Sequence, residues 1–270
     1  MHRPPDQVRR PAGVGGAGTS CISGRLTEMT SPTVAMSPIV PLIGMVSLLV
    51  VGALVPAEGL HSGDPAGTEQ QLMAESFEDG WKDRWQERRL ARRATKYSVE
   101  ADGGQPVLVA ESRGAASGLW RPAPLDSPRS GRLTWRWNVE RVIPGNERER
   151  EKRGDDFAAR VFVVFGGEFP SRSNKALCYV WAASEPIGSV YPSPYAANVA
   201  MVVVASGDSG AGAWHSVERD IIADYRAFFG HDPDELSGVA LMVDTDNTRS
   251  EVRTYVDDLQ LTAATETAAR

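Results

Sequence analysis

The first 76 residues contain no aromatic side chain; all seven Trp, seven Phe and six Tyr lie between Phe77 and Tyr255. A segment without large rings contributes little to a packed core, so the folding information is concentrated downstream. Cysteine is nearly absent, with only Cys21 and Cys178, which excludes a disulfide framework. A basic excess is also lacking. The net charge is −6, which leaves no surplus of cations to neutralise phosphates and argues against nucleic acid as a partner. No HExxH, CxxC, phosphate loop or GxSxG spacing occurs, so the common metal, redox, nucleotide and serine-hydrolase sites have no signature here.

Charge is missing altogether from Met29 through Ala57. Inside that window Leu42–Val55 is a 14-residue apolar run, too short for a membrane span and of the length of a signal-peptide core. Val55-Pro56-Ala57 places small residues where a signal peptidase cleaves, so residues 1–57 read as a disordered leader and signal peptide. The expectation is a periplasmic or secreted protein, with an uncleaved membrane anchor as the alternative. Residues 58–270 then form one domain, long enough to bury a full core.

That region alternates with a period of two. Leu133, Trp135, Trp137 and Val139 share one strand face. Phe157–Phe165, Leu177–Ala183, Asn198–Ser206 and Gly238–Asp244 are nearly continuous apolar runs, as in strands covered on both sides. Val252–Leu261 alternates again, and Tyr97–Glu100 and Val107–Glu111 add shorter candidates. One segment has helical spacing: Ile221, Ile222, Tyr225, Phe228 and Phe229 fall on one face, between Asp220 as N-cap and Gly230 as stop. The pattern predicts an all-β antiparallel sandwich, jelly-roll-like, with one short helix near 220–229. The charged stretch Arg141–Asp156 reads as a long solvated connector, or else as a docking site for a partner.

Several segments together resemble a bacterial family of unknown function, DUF3047. They are Leu133–Val139, Gly154–Val161, Ala176–Trp181, Asn198–Val204, Glu218–Ile221, Asp224-Tyr225, Phe229-Gly230 and Asp244–Thr248. The resemblance implies no activity. A looser one concerns the chain ends: Glu75–Trp81 and Tyr255–Leu261 are similar to the first and last strands of jelly-roll carbohydrate-binding modules. It implies that the two ends pair, often with a structural calcium between them.

Calcium takes six to eight oxygens. Asp244, Asp246 and Asn247 offer several from one turn, and Glu78 with Asp257 could clamp the two ends; turn chemistry selects the same residue types. Strict alternation places Asp257 and Asp258 on opposite faces. Arg160 interrupts an apolar strand, so if buried it needs a partner, from Asp156, Asp220, Asp224 or Asp244. A structural ion pair and a ligand anchor both fit it, and Asp155-Asp156 stands just upstream. For a saccharide ligand, stacking rings are wanted. Trp120, Tyr191 and Tyr195 are the candidates for exposure, and Trp181 shares a face with Tyr179 that suits either a core or a platform. The readings that follow are a saccharide-binding or envelope-glycan-binding sandwich, a carboxylate-dependent glycan hydrolase or lyase (Asp155, Asp220, Asp244), and a structural envelope protein.

Overall fold

The computed structural model describes residues 69–265 apart from 168 and 172. The leader and the proposed cleavage site lie outside them. Among the described residues no helix is long and apolar enough to cross a membrane.

The chain runs β1 (Gln70–Glu75), α1 (Trp81–Arg84), β2 (Gln86–Arg89), β3 (Lys96–Asp102), β4 (Gln105–Arg113), β5 (Ala116–Asp126) and β6 (Pro128–Val139). It continues with β7 (Ala159–Phe165), β8 (Lys175–Ala182), β9 (Val190–Pro192), β10 (Val199–Ser206), β11 (His215–Asp220), α2 (Ile221–Phe229), β12 (Glu235–Asp244) and β13 (Glu251–Thr265). Two sheets result. The first has the order β11-β6-β13-β4-β3, with β1 also paired to β13, so the first and last strands do meet. The second has the order β2-β5-β12-β7-β8-β10-β9.

Among the described residues all strand pairs are antiparallel except one. β8 and β10 run parallel within the otherwise antiparallel sandwich that the pattern predicts. A parallel neighbour needs a crossover rather than a hairpin; residues 183–198 supply it and leave β9 on the far side of β10. One correction is α1, whose four residues are too few to show a helical period.

Alternation decides what lies between the sheets. Leu133, Trp135, Trp137 and Val139 of β6 face Val161, Val163, Leu177, Tyr179 and Trp181 of the second sheet across the main core. The Trp135 and Trp137 indoles lack hydrogen-bond acceptors, but Trp135 sits edge-on to Trp137 at 5.3 Å, and Trp137 packs on Trp181 at 5.9 Å. The other side of β7, β8, β10 and β12 is apolar as well. Phe162, Val164, Ala176, Cys178, Met201, Ala240 and Met242 form a second cluster on the outer face. That explains why these four runs read as continuous: both faces are covered. Burial pushes the Cys178 thiol well above its ordinary pKa, so it packs as a small hydrophobe.

The helix closes one end of the core. Asp220 accepts hydrogen bonds from the amides of Ile222 (3.1 Å) and Ala223 (2.9 Å), and Gly230 at φ 78° ends the last turn. Ile221 lies so close to Gly131 of β6 that a Cβ there would meet its Cγ1 at 2.8 Å. Asp220→Ala should therefore cost about 1 kcal/mol of stability, the usual value of an N-cap, read as a lower denaturant midpoint with unchanged slope.

The connector between β6 and β7 exposes most of its charged residues, as expected of a solvated stretch, but is pinned to the fold by buried side chains. Glu149 is buried and accepts from the amides of Ala183 (2.6 Å), Ser184 (3.0 Å) and Glu185 (2.9 Å). Asn146, also buried, donates to the Gly154 carbonyl at 2.8 Å. A high local charge density concealed these two anchors: most neighbours of Glu149 in the sequence are exposed charges, and one inward carboxylate leaves no periodic trace.

Candidate functional site

The apolar outer face of the second sheet is the floor of a cleft of about 580 Å3. Phe162 and Val164 of β7, Met201 of β10 and Met242 of β12 line the floor. Asp155, Arg160, Asp244, Asp246, Asn247 and Tyr195 also line it. The last residue of β12, Asp244, and the second residue before β7, Phe157, are joined by amide contacts, which brings the turns after β12 and before β7 together.

Arg160 organises this polar part. It is 5 % exposed, and its Nε and Nη2 donate to both oxygens of Asp244 at 2.8 and 2.5 Å. Its Nη1 reaches the Asp155 carboxylate at 3.2 Å, and Nη2 also donates to the Asp155 carbonyl at 2.6 Å. The Phe157 ring lies 4.5 Å from the guanidinium carbon. Burial pushes the Asp244 carboxyl up to about 7 against the pull of Arg160, and raises Asp155 for the same reason. Of the partners the sequence offered Arg160, Asp244 takes the role; Asp220 caps α2 and Asp224 pairs with Arg219 at 2.6 Å.

Asp156 closes the neighbouring turn. Its carboxylate accepts from the Asn247 amide (3.2 Å), the Asn247 side chain (2.9 Å) and the Thr248 amide (2.6 Å). The turn after β12 is thus held by a carboxylate from the connector that precedes β7. Asn247 Oδ1 in turn accepts from the Tyr195 hydroxyl at 2.7 Å. Carboxylate oxygens of Asp156, Asp244 and Asp246 lie within 4.8 Å of one another. Asp246 is only partly buried and, among the described residues, accepts no hydrogen bond from another side chain; burial and the nearby Asp156 raise its pKa.

The other sequence candidates fall elsewhere. Trp120 is 1 % exposed, not a surface platform. It lies on the outer face of β5, stacks beneath Phe169 at 6.3 Å, and fits only because position 238 is glycine, where a Cβ would strike the indole at 2.7 Å. Tyr191 is also buried, with the Arg150 guanidinium 4.4 Å above its ring. Trp181 belongs to the main core and donates to the Gly207 carbonyl at 3.1 Å. Among the four rings only Tyr195 is exposed, at 56 %. The prolines around these residues marked turns correctly but said nothing about which ring a covering loop would bury.

At the chain ends the acidic residues are engaged by arginines. Asp257 and Asp258 both reach Arg136, at 2.6 and 2.7 Å, against the expected opposite faces. A bulge is the cause: Asp258 has φ 52° and the register with β6 shifts between Asp257 and Gln260. Glu78 lines a separate cleft beside Phe77 and Trp81, and the buried carboxylate of the opening is Glu75. Sequence reasoning missed Phe162, Met201 and Met242 as a cleft floor. Their signal was available, because period two puts Phe162 on the Arg160 face.

These features define a two-sheet β-sandwich with an amphipathic cleft on the outer face of one sheet. The chain belongs to the family described as a protein of unknown function, DUF3047, whose model matches residues 83–260. No curated protein matches it. Similar solved structures include the CBM22-1–CBM22-2 tandem domain of Xyn10C from Paenibacillus barcinonensis, at 15 % identity and TM-score 0.41, covering 72 % of this chain and 50 % of that one. The chain thus spans half the length of that tandem. The family 11 carbohydrate-binding module of Lic26A-Cel5E from Clostridium thermocellum is similar at 10 % identity and TM-score 0.39, covering 76 % and 99 %. The K3 cleaved adhesin domain of Lys-gingipain from Porphyromonas gingivalis is similar at 15 % identity and TM-score 0.40, covering 72 % and 99 %.

Proposed function

We propose that this protein is an exported saccharide-binding sandwich and that its ligand lies in the outer-face cleft. The observation that carries the reading is the division of the cleft into an apolar floor and a carboxylate–amide edge. A pyranose has the matching surface, with C–H groups on its faces and hydroxyls around its rim. Phe162, Met201 and Met242 would take the apolar face; Asp246 and Asn247 would take hydroxyls; Tyr195 supplies the exposed ring. Export is supported by the Leu42–Val55 run and the small residues that follow it.

The test is thermal unfolding of the protein with a panel of bacterial and plant polysaccharides, followed by titration of any that raise the midpoint. Tyr195→Ala should weaken binding about tenfold, or ~1.4 kcal/mol, without lowering the midpoint of the free protein much. Asn247→Ala should weaken it similarly but also lower that midpoint, because its amide donates to the buried Asp156. A panel without effect would move the reading to a structural envelope protein. Release of new reducing ends or unsaturated products from a bound glycan would instead establish the hydrolase or lyase. The structure gives that alternative little to work with, since Arg160 already holds Asp155 and Asp244.

Calcium is a second reading of the same edge, favoured by the 4.8 Å grouping of Asp156, Asp244 and Asp246. Its measure is the midpoint in calcium against EDTA. An unchanged midpoint removes it, and the N–H donors already on Asp156 and Asp244 would then account for those carboxylates alone.

A further inference from the structure

The end of β2 and the segment that leads from it to β3 read Arg88-Arg89-Leu90-Ala91-Arg92-Arg93, with four guanidinium groups in six residues. This stretch is divided between two clefts. Leu90 lines the outer-face cleft, whereas Arg89 and Arg93, with Lys96 of β3, line a second cleft of about 640 Å3. The entry to β5 is divided in the same way, Ala115 belonging to the second cleft and Ala116 to the first. The two clefts therefore share a wall built from residues adjacent in sequence.

Most charges around the second cleft are neutralised. Arg113 and Arg141 both reach Glu251, at 2.9 and 3.3 Å. Arg253 is held by Glu100 at 2.6 Å, with Glu111 at 3.5 Å and Glu140 at 3.7 Å. Among the described residues, the side chains of Arg89, Arg93 and Lys96 have neither an ion pair nor a hydrogen bond. In a chain of net charge −6, three uncompensated cations gathered in one concavity do not follow from composition. They repel one another, and a bound anion removes that repulsion. Guanidinium groups present paired N–H donors that match carboxylate, sulfate and phosphate oxygens.

We propose that the second cleft binds the anionic groups of an acidic polysaccharide whose adjoining sugar occupies the outer-face cleft. The sugar part rests on the saccharide reading above; the anion site rests on its own residues. The shared wall lets one chain cross from one cleft to the other, with Leu90 under the crossing point.

The experiment is affinity electrophoresis and titration of the full-length protein against polygalacturonate, dextran sulfate, neutral xylan, neutral β-glucan and duplex DNA. Wild type, the double variant Arg89→Glu/Arg93→Glu and Tyr195→Ala are compared, with thermal midpoints showing that all are folded. The expected result is binding of an acidic polysaccharide that weakens at least about tenfold in the double variant and falls with added salt, while any neutral-glycan binding is unchanged. Polygalacturonate against dextran sulfate tells a carboxylate from an ester sulfate. Loss in the double variant but not in Tyr195→Ala supports the anion site and overturns the saccharide cleft. Binding of neutral glycans alone overturns the anion site and leaves the saccharide cleft standing. Acidic-glycan binding indifferent to the double variant, or DNA bound as tightly as the glycan, also overturns the anion site. Retention of no polysaccharide at all overturns both.

Discussion

Replacing Arg160 with alanine is expected to lower the unfolding free energy by about 3–5 kcal/mol, the usual cost of removing one partner from a buried ion pair. The side chain donates four hydrogen bonds, three of them to the carboxylates of Asp155 and Asp244 and one to the Asp155 carbonyl. Without it, two carboxyl groups remain buried with no cation. They can then stay in the fold only by taking up protons, so the penalty should be larger at pH 8 than at pH 5. Asp244→Asn probes the same cluster from the acidic side. In the folded protein burial pushes the Asp244 carboxyl up to about 7, whereas in the unfolded chain it has the ordinary value of about 3.9. The native state holds the extra proton between these values, so this group's contribution to stability is complete below about pH 4 and is lost as pH rises through about 7. The asparagine variant lacks that titration. Its destabilisation relative to wild type should therefore shrink as pH rises from 4 to 7. Denaturant midpoints at several pH values decide the matter: an Asp244→Asn penalty that grows with pH, or an Arg160→Ala variant within about 1 kcal/mol of wild type, would sink this account of the cluster.

How much of this was legible in the sequence depends on whether a feature is periodic. The eight strand segments read from alternation or from continuous apolar runs all form strands, because period two survives where one face is buried and a short unbroken run marks a strand covered on both. Of the strands left unread, β2, β9 and β11 are short or edge elements whose exposed residues carry no apolar pattern, whereas β5 is long and interior but its glycine and prolines read as turn signals. Both ends of α2 were legible because Asp220 and Gly230 have residue-specific backbone roles. Arg160 stood out as a charge among apolar neighbours, and its need for a carboxylate followed from desolvation alone. Which carboxylate answers it did not, since the pairing with Asp244 spans 84 residues and depends on β7 lying beside β12. The rings failed for a related reason. Trp120 and Tyr191 sit beside prolines or turns, as surface residues do, yet the outer face they occupy is covered by chain arriving from elsewhere. The bulge at Asp258 is a departure from alternation, and alternation was the only means of placing it.

Glu75 should give the second large effect, with the opposite dependence on pH. It is the last residue of β1 in the first sheet, and its carboxylate accepts from five donors: the Phe77 amide (2.9 Å), Arg84 Nη2 (2.7 Å) and Nε (2.9 Å), Trp85 Nε1 (2.9 Å) and Arg121 Nη1 (2.6 Å). Arg121 belongs to β5 in the second sheet, so this one side chain ties the two sheets and α1 together at the edge of the core. It also holds the amide of Phe77, a buried non-glycine residue at φ 52°, in the left-handed region where side chains are strained. Glu75→Ala should cost about 3 kcal/mol or more, because Trp85, Phe77 and Arg121 lose a buried acceptor together. Glu75→Gln should cost less, since an amide oxygen retains part of the network and Arg84 is exposed enough to turn to water. Burial pushes the Glu75 carboxyl upward, but Arg84, Trp85 and the Phe77 amide outweigh it and hold the pKa below its ordinary value. The stability from this group is therefore present above about pH 4.3, the unfolded value, and is lost as pH falls through the depressed one. Wild type is pulled from both sides, losing the Glu75 contribution in acid and the Asp244 contribution as pH approaches 7. Glu75→Gln should flatten only the acid side and Asp244→Asn only the neutral side. Variants whose pH profiles shift in parallel with wild type would show that neither carboxylate governs the pH response of the fold.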